Sequence, residues 1–366
     1  MKNLIAIVLI FFAFSTYAQT YSLTGSVKDQ KGEPLPGATV FLTNTKNATS
    51  TDGSGKFVLG EVQPGTYELV VNMIGFNPSR QNIKIEKATD VTIKLFENSI
   101  LLNAVTINAT RDKQPKRYYD WFNEGFLGWS TNASKCKILN PDVLNFHYAK
   151  GILSATANDF LILENNALGY KIKYLLKEFK FYPNNGNACY YDGNAYFEEL
   201  PGTPEQQQQW KQNRRKAYLG SMHHFFRAIV NHTSRAEGFF VTYNTLWPKQ
   251  SGSKLGSLNI DTTLVPISQN FKALIGKKEI LGRKDTTRLE LYIRYVDPLS
   301  NKVSVMKQFV DTVIIDKNGG TDPGMGFGIS GYWSVLRVAE LTPLDYFVDP
   351  IAEKKAQEES GFIEVK

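Results

Sequence analysis

The stretch GEPLPGATVFLTNTKNATSTDGSGKFVLGEVQPGTYELV, residues 32–70, decides the fold of the first part of this chain. Short apolar runs alternate in it with turn signals such as Asp52-Gly53 and Pro64-Gly65. Tyr67, Leu69 and Val71 alternate with Glu68 and Val70, as expected of a strand. The same pattern continues outward on both sides, from Tyr21 to about Glu97. It predicts an all-β sandwich over residues 19–98.

Turn glycines, an aspartate and apolar positions follow one another in a fixed order through this segment. The groups are Gly25-x-Val27, Pro34-Leu35-Pro36-Gly37-Ala38-x-Val40, Thr51-Asp52-Gly53-x-Gly55-x-Phe57 and Gly65-x-Tyr67-x-Leu69. In this order they resemble the carboxypeptidase-D regulatory-like domain. The resemblance implies a transthyretin-like, Greek-key β-sandwich. Such domains occur N-terminally on exported and outer-membrane-associated bacterial proteins and usually have no catalytic residues of their own.

The N-terminus has the pattern of a secretory signal peptide. Lys2 precedes an apolar run from Leu4 to Phe14, and Thr16 and Ala18 give a small-x-small cleavage pattern before Gln19. The run is shorter than the about 18 residues that a membrane-spanning helix requires. We therefore expect residues 1–18 to be removed after Ala18 and the mature protein to be exported to the periplasm or the outer membrane. We expect no transmembrane span in the mature chain.

The rest of the chain divides into a linker, a second domain and a tail. Residues 99–117 read as a polar, basic linker, and their first part, Leu101 to Val105, resembles the segment after this domain in TonB-dependent outer-membrane receptors. Residues 118–350 are predicted to form an α+β domain, and residues 351–366 a polar tail. The second domain resembles an uncharacterised region that accompanies the same β-sandwich in other exported bacterial proteins.

The second domain mixes strand and helix patterns. Residues 169–182 read as an antiparallel strand, and Tyr118 to Phe126 as a short aromatic helix. A long amphipathic helix is predicted from Pro204 to Asn231, with Thr203 as its N-cap. A last helix is predicted to begin near Gly331.

The positive charge of the chain lies after the sandwich. The formal net charge is +7, and residues 19–98 contain as many acidic as basic side chains. A basic face in the second domain is predicted to meet anionic lipopolysaccharide, another glycan or an acidic envelope protein; its residues are Lys211, Arg214, Arg215 and Lys216. The alternative is an ordinary solvated helix face. Nucleic acid is disfavoured as a partner because the protein is expected to be exported.

The two cysteines, Cys136 and Cys189, are candidates for a disulfide, because an exported protein meets an oxidising compartment. The alternative is two buried free thiols. No C-x-x-C pair and no histidine at ligand spacing accompany either cysteine, so neither is expected to bind a metal.

Tests for catalytic motifs find none. A zinc carboxypeptidase requires a histidine followed by glutamate at the third position, and none of the four histidines, His147, His223, His224 and His232, has one. A G-x-G-x-x-G sequence at residues 326–331 is separated from the preceding strand by a loop, which disfavours dinucleotide binding. The stretch from Asn184 to Tyr196 is open to two interpretations, a calcium- or glycan-binding surface and a hairpin with core aromatics. No cofactor or metal is predicted.

The sequence therefore favours a non-catalytic exported envelope protein that acts as a binding or assembly module. Its partner would be an outer-membrane or periplasmic protein, or a glycan. One alternative is a hydrolase of glycans or peptides with an unrecognised site in the second domain. Another is an accessory to a TonB-dependent transporter.

Overall fold

The computed structural model of the chain describes residues 19–98, 115–245, 255–257, 264–267, 270–273, 289–297, 300–308, 313–322 and 327–348. The chain forms two compact units: residues up to 40 with 49–97, and residues 41–48 with the chain after residue 97. The predicted signal peptide, most of the predicted linker and the predicted tail lie outside the described residues, so their boundaries stay predictions.

The N-terminal part is built almost entirely from strands. They are β1 (Tyr21–Lys28), β2 (Thr39–Leu42), β3 (Ala48–Ser50), β4 (Lys56–Val62), β5 (Gly65–Asn72), β6 (Phe76–Asn77), β7 (Ser79–Ile85), β8 (Thr89–Lys94) and β9 (Phe96–Glu97). One sheet has the order β4-β1-β8 and another the order β3-β2-β5-β7, while β6 pairs with β9. All pairings with a described register are antiparallel except β1 with β8. A mostly β N-terminal domain, consistent with a β-sandwich, is thereby confirmed.

Alternation of side chains along these strands builds the core of the first unit. Leu23 and Val27 of β1 are fully buried, as are Leu69 and Val71 of β5. Tyr67 of β5 is also buried, and its hydroxyl donates a hydrogen bond to the Gln63 carbonyl at 2.9 Å. Two-residue periodicity is clearest in β1, whereas β5 also buries Val70 between Leu69 and Val71.

The turn residues of the family pattern are held by a buried hydroxyl group. Thr51 Oγ1 donates to the Leu35 carbonyl at 2.6 Å and accepts the Ala38 amide at 2.9 Å. Next to it, the Asp52 carboxylate accepts the backbone amides of Ser54 and Lys56. The Pro-Leu-Pro-Gly-Ala and Thr-Asp-Gly groups therefore occur together because the second group ties the first in place.

The second unit begins with a six-stranded antiparallel sheet. Helix α1 (Lys116–Leu127) precedes its strands, which are β10 (Cys136–Ile138), β11 (Leu144–Ala149), β12 (Ile152–Ala157), β13 (Leu161–Asn165), β14 (Tyr170–Tyr182) and β15 (Ala188–Glu199). The order is β10-β13-β14-β12-β11, and β15 pairs with β14. Helix α1 lies close to this sheet, because a Cβ atom on Gly125 would come within 2.8 Å of the Phe181 ring.

The stretch from Asn184 to Tyr196 forms the turn and the second strand of the β14–β15 hairpin. Tyr196 is buried, and Tyr191 packs against the core of this sheet. The structure thus agrees with the interpretation of this stretch as a hairpin with core aromatics.

The single long helix predicted from Pro204 to Asn231 is not confirmed, because two helices occupy this range. Helix α2 (Pro204–Tyr218) begins at the predicted N-cap Thr203, and helix α3 (Met222–Val230) follows it. Between them Gly220 has a φ of +75°. Ser221 then caps α3 by accepting the His224 amide. A left-handed glycine followed by a serine N-cap ends one helix and starts another.

The remaining strands form two sheets. They are β16 (Phe239–Thr245), β17 (Leu255–Ser257), β18 (Leu264–Ile267), β19 (Asn270–Ala273), β20 (Leu289–Asp297), β21 (Ser300–Gln308), β22 (Val313–Ile315), β23 (Thr321–Asp322) and β24 (Phe327–Gly331). The orders are β17-β16-β20-β21-β24 and β18-β19-β22-β23. Residues of α3 form a common core with residues of β16, β20 and β22.

The helix predicted near Gly331 is a single turn, α4 (Tyr332–Val335). Gly328 and Gly331 of the G-x-G-x-x-G sequence lie in or at the end of β24, and Gly326 is outside the described residues. In the part of the chain that the structure describes, no helix has the length and apolar character needed to cross a membrane.

Candidate functional site

The four residues predicted to form a basic face differ in exposure on helix α2. Lys211 and Lys216 are exposed, Arg215 is half-buried and Arg214 is buried. The exposed lysines and Arg215 stay candidates for contact with an anionic partner. Arg214 has a different position, which corrects its place in the predicted face.

Arg214 points into the protein and binds the chain just before β14. Its Nε donates to the Leu168 carbonyl at 2.6 Å and its Nη2 to the Gly169 carbonyl at 3.1 Å. The guanidinium stacks 3.9 Å from the centre of the Tyr170 ring, and Nη1 lies 3.5 Å from Glu199 Oε2. These contacts occupy the guanidinium within the fold, so Arg214 is unsuited to a solvent-facing binding role.

A second buried arginine, Arg227 of α3, holds the segment after α4. Its Nη2 donates to the Leu344 carbonyl and its Nη1 to the Tyr346 carbonyl, both at 2.8 Å. It also donates to the Asn318 carbonyl and the Tyr218 hydroxyl at 3.3 Å. The break at Gly220 gives α2 and α3 separate axes, so that each helix contributes one buried arginine.

His224 has both ring nitrogens engaged. Its Nε2 donates to Glu237 Oε2 at 2.7 Å, and its Nδ1 accepts the Gly220 amide at 3.0 Å. Burial alone would raise the pKa of Glu237, but hydrogen bonds from His224 and Thr233 lower it. In this arrangement His224 has no free nitrogen with which to act as a base.

His223 is engaged in the same way. Its Nε2 lies 2.9 Å from the Asn318 carbonyl and its Nδ1 lies 3.4 Å from Thr342 Oγ1. Burial, together with the nearby charge of Arg227, holds the pKa of His223 well below its usual range, so the ring is neutral. Within the described ranges, no cluster of three or more His, Cys, Asp or Glu side chains could hold a metal ion.

Residues 41–48 run from the end of β2 to the first residue of β3 and belong to the second unit. We call this segment the 41–48 turn. Asn44 has a φ of +60°, and the Leu42 amide donates to the Asn47 carbonyl at 3.0 Å. Thr45 Oγ1 donates to the Leu42 carbonyl and accepts the Asn47 amide. These bonds within the turn fix its shape.

The backbone of the turn is bound on two sides. The Asn44 amide donates to the Ala195 carbonyl at 2.6 Å, and the Phe197 amide donates to the Thr45 carbonyl at 3.0 Å. On the other side, the Leu344 amide donates to the Asn44 carbonyl at 2.6 Å. The turn thus lies between β15 and the segment that Arg227 holds.

Side chains of the turn are bound as well. Phe41 packs against Tyr196 and Phe160, with ring centres 4.9 and 5.8 Å away. Thr45 is completely buried. The Lys46 ammonium lies 3.4 Å from Glu199 Oε1.

The carboxylate of Asp345 accepts the Lys46 amide at 3.2 Å. Burial raises the pKa of Asp345, although the Lys46 charge and amide act in the opposite direction. The Asp345 carboxylate therefore binds the backbone at the tip of the turn, in surroundings that disfavour the charge of the carboxylate.

The two cysteines are free thiols in the structure, so the predicted disulfide between Cys136 and Cys189 is not formed. Strand register gives the reason. Cys136 pairs with Asn165, which pairs with Tyr170 at the start of β14, whereas Cys189 pairs with Phe181 near its end. At about 3.3 Å per residue along β14, this separation far exceeds the about 7 Å between Cα atoms that a disulfide allows. Burial raises the pKa of each thiol to about 12.

Sequence reasoning did not identify the 41–48 turn as a bound segment. Its residues Thr43 to Asn47 are polar and read as an ordinary hairpin tip. A weak signal was present in Asn44, since asparagine tolerates the left-handed conformation that a fixed turn requires. The partners of the turn lie about 150 and 300 positions later in the chain, where no local pattern could indicate them.

Comparison with known proteins identifies the N-terminal region. The family model of the CarboxypepD_reg-like domain matches residues 23–107. This confirms the resemblance carried by the glycine, proline and aspartate pattern. The match concerns this part of the chain.

Two curated relatives share this region. A TonB-dependent receptor of Formosa agariphila is 38% identical over 72 residues, which are 20% of this chain and 7% of the receptor. The TonB-dependent receptor SusC of Bacteroides thetaiotaomicron is 32% identical over 98 residues, 27% of this chain and 9% of the receptor. The chain thus matches less than a tenth of the length of either relative.

Two solved structures that resemble a short part of the chain are as follows. A type II cohesin-X-dockerin complex of Acetivibrio cellulolyticus covers 21% of this chain and 58% of that chain, at 18% identity and a TM-score of 0.20. Catechol 1,2-dioxygenase of Pseudomonas arvilla covers 24% of this chain and 55% of that chain, at 12% identity and a TM-score of 0.21.

Proposed function

We propose that this protein is a non-catalytic binding or assembly module of the bacterial envelope, exported through the signal peptide at residues 1–18. Its first unit would be a transthyretin-like, Greek-key sandwich. The observation that carries the proposal is the shared domain, because residues 23–107 match a family model and the same region is related to outer-membrane receptors. A domain shared with such receptors supports the periplasm or the outer membrane as the compartment in which this chain works.

The engagement of the two buried histidines supports a non-catalytic role. His223 and His224 each have both ring nitrogens within hydrogen-bonding distance of groups in the fold. A general base must have a nitrogen free to take a proton from a substrate. These histidines serve better as structural groups that hold α3 to its neighbours.

An accessory role beside a TonB-dependent transporter is a second candidate. It rests on the same receptor homology, which here occurs in a chain that matches less than a tenth of either receptor. In that role the module would bind a receptor of the outer membrane or a periplasmic component of its transport system.

The exposed basic side chains of α2 are the surface we assign to an anionic partner. Lys211 and Lys216 project from the helix, with Arg215 half-buried beside them. They would contact an acidic protein, a glycan or lipopolysaccharide through charge. Electrostatic contact of this kind weakens as the salt concentration rises.

Mild crosslinking in native envelopes, followed by purification of the tagged full-length protein, tests the proposal. We expect an outer-membrane protein among the crosslinked products, and we expect the yield to fall in a Lys211→Glu, Lys216→Glu variant. The matched control is a Lys135→Glu, Lys137→Glu variant, since both of these lysines are exposed and lie elsewhere in the second unit.

Three results would each overturn a part of the proposal. Fractionation of the protein with the cytoplasm would reject the envelope module. Turnover of a glycan or peptide by the purified full-length protein would replace the non-catalytic role with the hydrolase alternative. An unchanged yield in the Lys211→Glu, Lys216→Glu variant would reject only the assigned surface.

A further inference from the structure

The site that binds the 41–48 turn has the features of a recognition site for a β-hairpin tip. We call it the acceptor edge: residues Asn194–Glu199 of β15 together with Leu344 and Asp345. Strand β15 pairs with β14 along one edge. On its other edge, Tyr196 forms a single parallel bridge with Thr45. Free strand edges are general acceptors for added backbone segments.

Backbone groups supply the first part of the recognition. The acceptor edge offers the Ala195 carbonyl and the Phe197 and Leu344 amides, and all three are bonded to the turn within 3.0 Å. Ala195 and Leu344 bind the amide and the carbonyl of Asn44, and Phe197 binds the carbonyl of Thr45. Such a fit requires a residue in the left-handed conformation, which asparagine adopts more readily than most residues.

Side chains supply the second part. The site for Thr45 is closed, since this residue is fully buried, so only a small side chain fits there. Asn194 Nδ2 donates to Thr43 Oγ1 at 3.0 Å. The Glu199 carboxylate lies 3.4 Å from the Lys46 ammonium, which favours a basic residue at this position, and Asp345 accepts the Lys46 backbone amide.

We propose that the acceptor edge is a binding site for a β-hairpin tip that carries asparagine, a small hydroxyl residue and a basic residue in succession. In this chain the site is filled from within by the 41–48 turn. The same site binds an equivalent hairpin supplied in trans when the internal turn is displaced. This inference is independent of the proposed envelope function.

The test uses the full-length protein and a synthetic hairpin. The probe is a fluorescent peptide of residues 39–50, TVFLTNTKNATS, cyclised through a D-Pro-Gly link so that it holds the turn. The internal turn is displaced by Thr45→Glu, which puts a larger, charged side chain into a site that is completely buried. The matched control probe is the same cyclic peptide with Lys46→Glu.

We expect the Thr45→Glu protein to bind the cyclic peptide at least ten-fold more tightly than the wild-type protein does. We also expect it to bind the control peptide at least ten-fold more weakly. Equal binding of both peptides, or no binding by a variant with native tryptophan fluorescence, would overturn the proposal.

A second measurement applies if the Thr45→Glu protein does not fold. Hydrogen exchange in a full-length Lys46→Glu protein should be at least ten-fold faster than in the wild type at the Phe197 and Leu344 amides. Exchange at the amide of Ile172, in the interior of β14, should be unchanged. Unaltered exchange at Phe197 and Leu344 would show that Lys46 does not contribute to binding at the acceptor edge.

Discussion

The first unit fixes its turns with a hydroxyl group, whereas the second unit uses two buried guanidinium groups. Thr51 ties Leu35 and Ala38, which precede it by only 16 and 13 positions. Arg214 and Arg227 bind carbonyl groups as far as 46 and 119 positions away. The hydroxyl brings little charge into the interior, but each guanidinium brings a full one.

This difference determines how the two units respond to mutation. A neutral hydrogen bond contributes about 1 kcal/mol, whereas bonds from a charged group contribute about twice as much each. Replacing a buried arginine that joins several carbonyls should therefore lower the free energy of unfolding more than replacing a buried threonine does. The chain allows separate measurement, because all five tryptophans follow residue 98 and report on the second unit.

Arg227→Met should have the largest effect. It leaves the carbonyls of Leu344 and Tyr346 without the Arg227 donor and the Asn318 carbonyl with His223 alone, and we expect a loss of about 4 kcal/mol in the free energy of unfolding. Urea denaturation followed by tryptophan fluorescence measures it. Arg235→Met, at an exposed position close after α3, should change stability by less than about 0.5 kcal/mol. Similar losses in both variants would contradict the role assigned to Arg227.

Arg214→Met should follow, with a loss of about 3 kcal/mol, because it removes the donor to the carbonyls of Leu168 and Gly169. The same fluorescence measurement applies. Lys211→Met is the matched control on the same helix and should be nearly neutral. If Lys211→Met lowered the free energy of unfolding more than Arg214→Met does, the buried role assigned to Arg214 would be contradicted.

Thr51→Val should reduce the stability of the first unit by about 2 kcal/mol, since it removes both hydrogen bonds of a buried hydroxyl while keeping the shape of the side chain. Hydrogen exchange of peptides from residues 32–57 detects the change. Ser50→Ala, at the exposed neighbouring position, should leave exchange unaltered. An effect of Thr51→Val as large as that of Arg227→Met would break the contrast between the two units.

Two carboxylates should give opposite dependence on pH. Backbone amides and the hydroxyl around Asp52 lower its pKa, so its contribution to stability is present at neutral pH and is lost as the pH falls through its folded pKa. Burial raises the pKa of Asp345, so its contribution is present at acid pH and is lost as the pH rises through its folded pKa.

This contrast is measured by urea titrations of Asp52→Asn and Asp345→Asn between pH 3.5 and pH 7. The range is chosen because the pKa of a free aspartate is about 3.9. The stability that Asp52→Asn loses relative to the wild-type protein should be larger at pH 7 than at pH 3.5. Asp345→Asn should gain on wild type as the pH rises, because asparagine keeps an acceptor for the Lys46 amide. Parallel pH profiles of the two variants would reject this assignment of signs.

The smallest effect should come from reduction. Because Cys136 and Cys189 are free thiols in the structure, a reductant should leave the urea midpoint unchanged, and unreduced denatured protein should yield two labelled thiols. If protein purified from the envelope showed no thiol labelling, the two cysteines would form a disulfide after all, as the export signal suggested.

The sequence was informative where interactions are local. The Pro-Leu-Pro-Gly-Ala and Thr-Asp-Gly groups lie within one short stretch, and they led to the correct domain. Helix α2 was also found from its N-cap Thr203. The break after it was missed because the apolar stripe continues across Gly220, although a glycine before a serine is a usual helix boundary.

Long-range contacts explain the other misses. Nothing near Arg214 distinguishes it from Lys211 and Arg215, because its carbonyl partners Leu168 and Gly169 are separated from α2 by the whole β14–β15 hairpin. Cys136 and Cys189 were paired by compartment alone, without the strand register that keeps them apart. The binding of the 41–48 turn likewise depends on residues that meet only in the folded chain.

The 41–48 turn also limits how the sequence can vary during evolution. Hairpin tips usually accept insertions and deletions, because their residues face solvent. Here one added residue would shift Asn44 out of register with Ala195 and Leu344 at the same time. In homologues with the same second unit, we expect the tip to keep its length and to change together with the chain around residues 195–197 and 344–345. Homologues that have only the N-terminal domain should vary freely in both length and sequence at this turn.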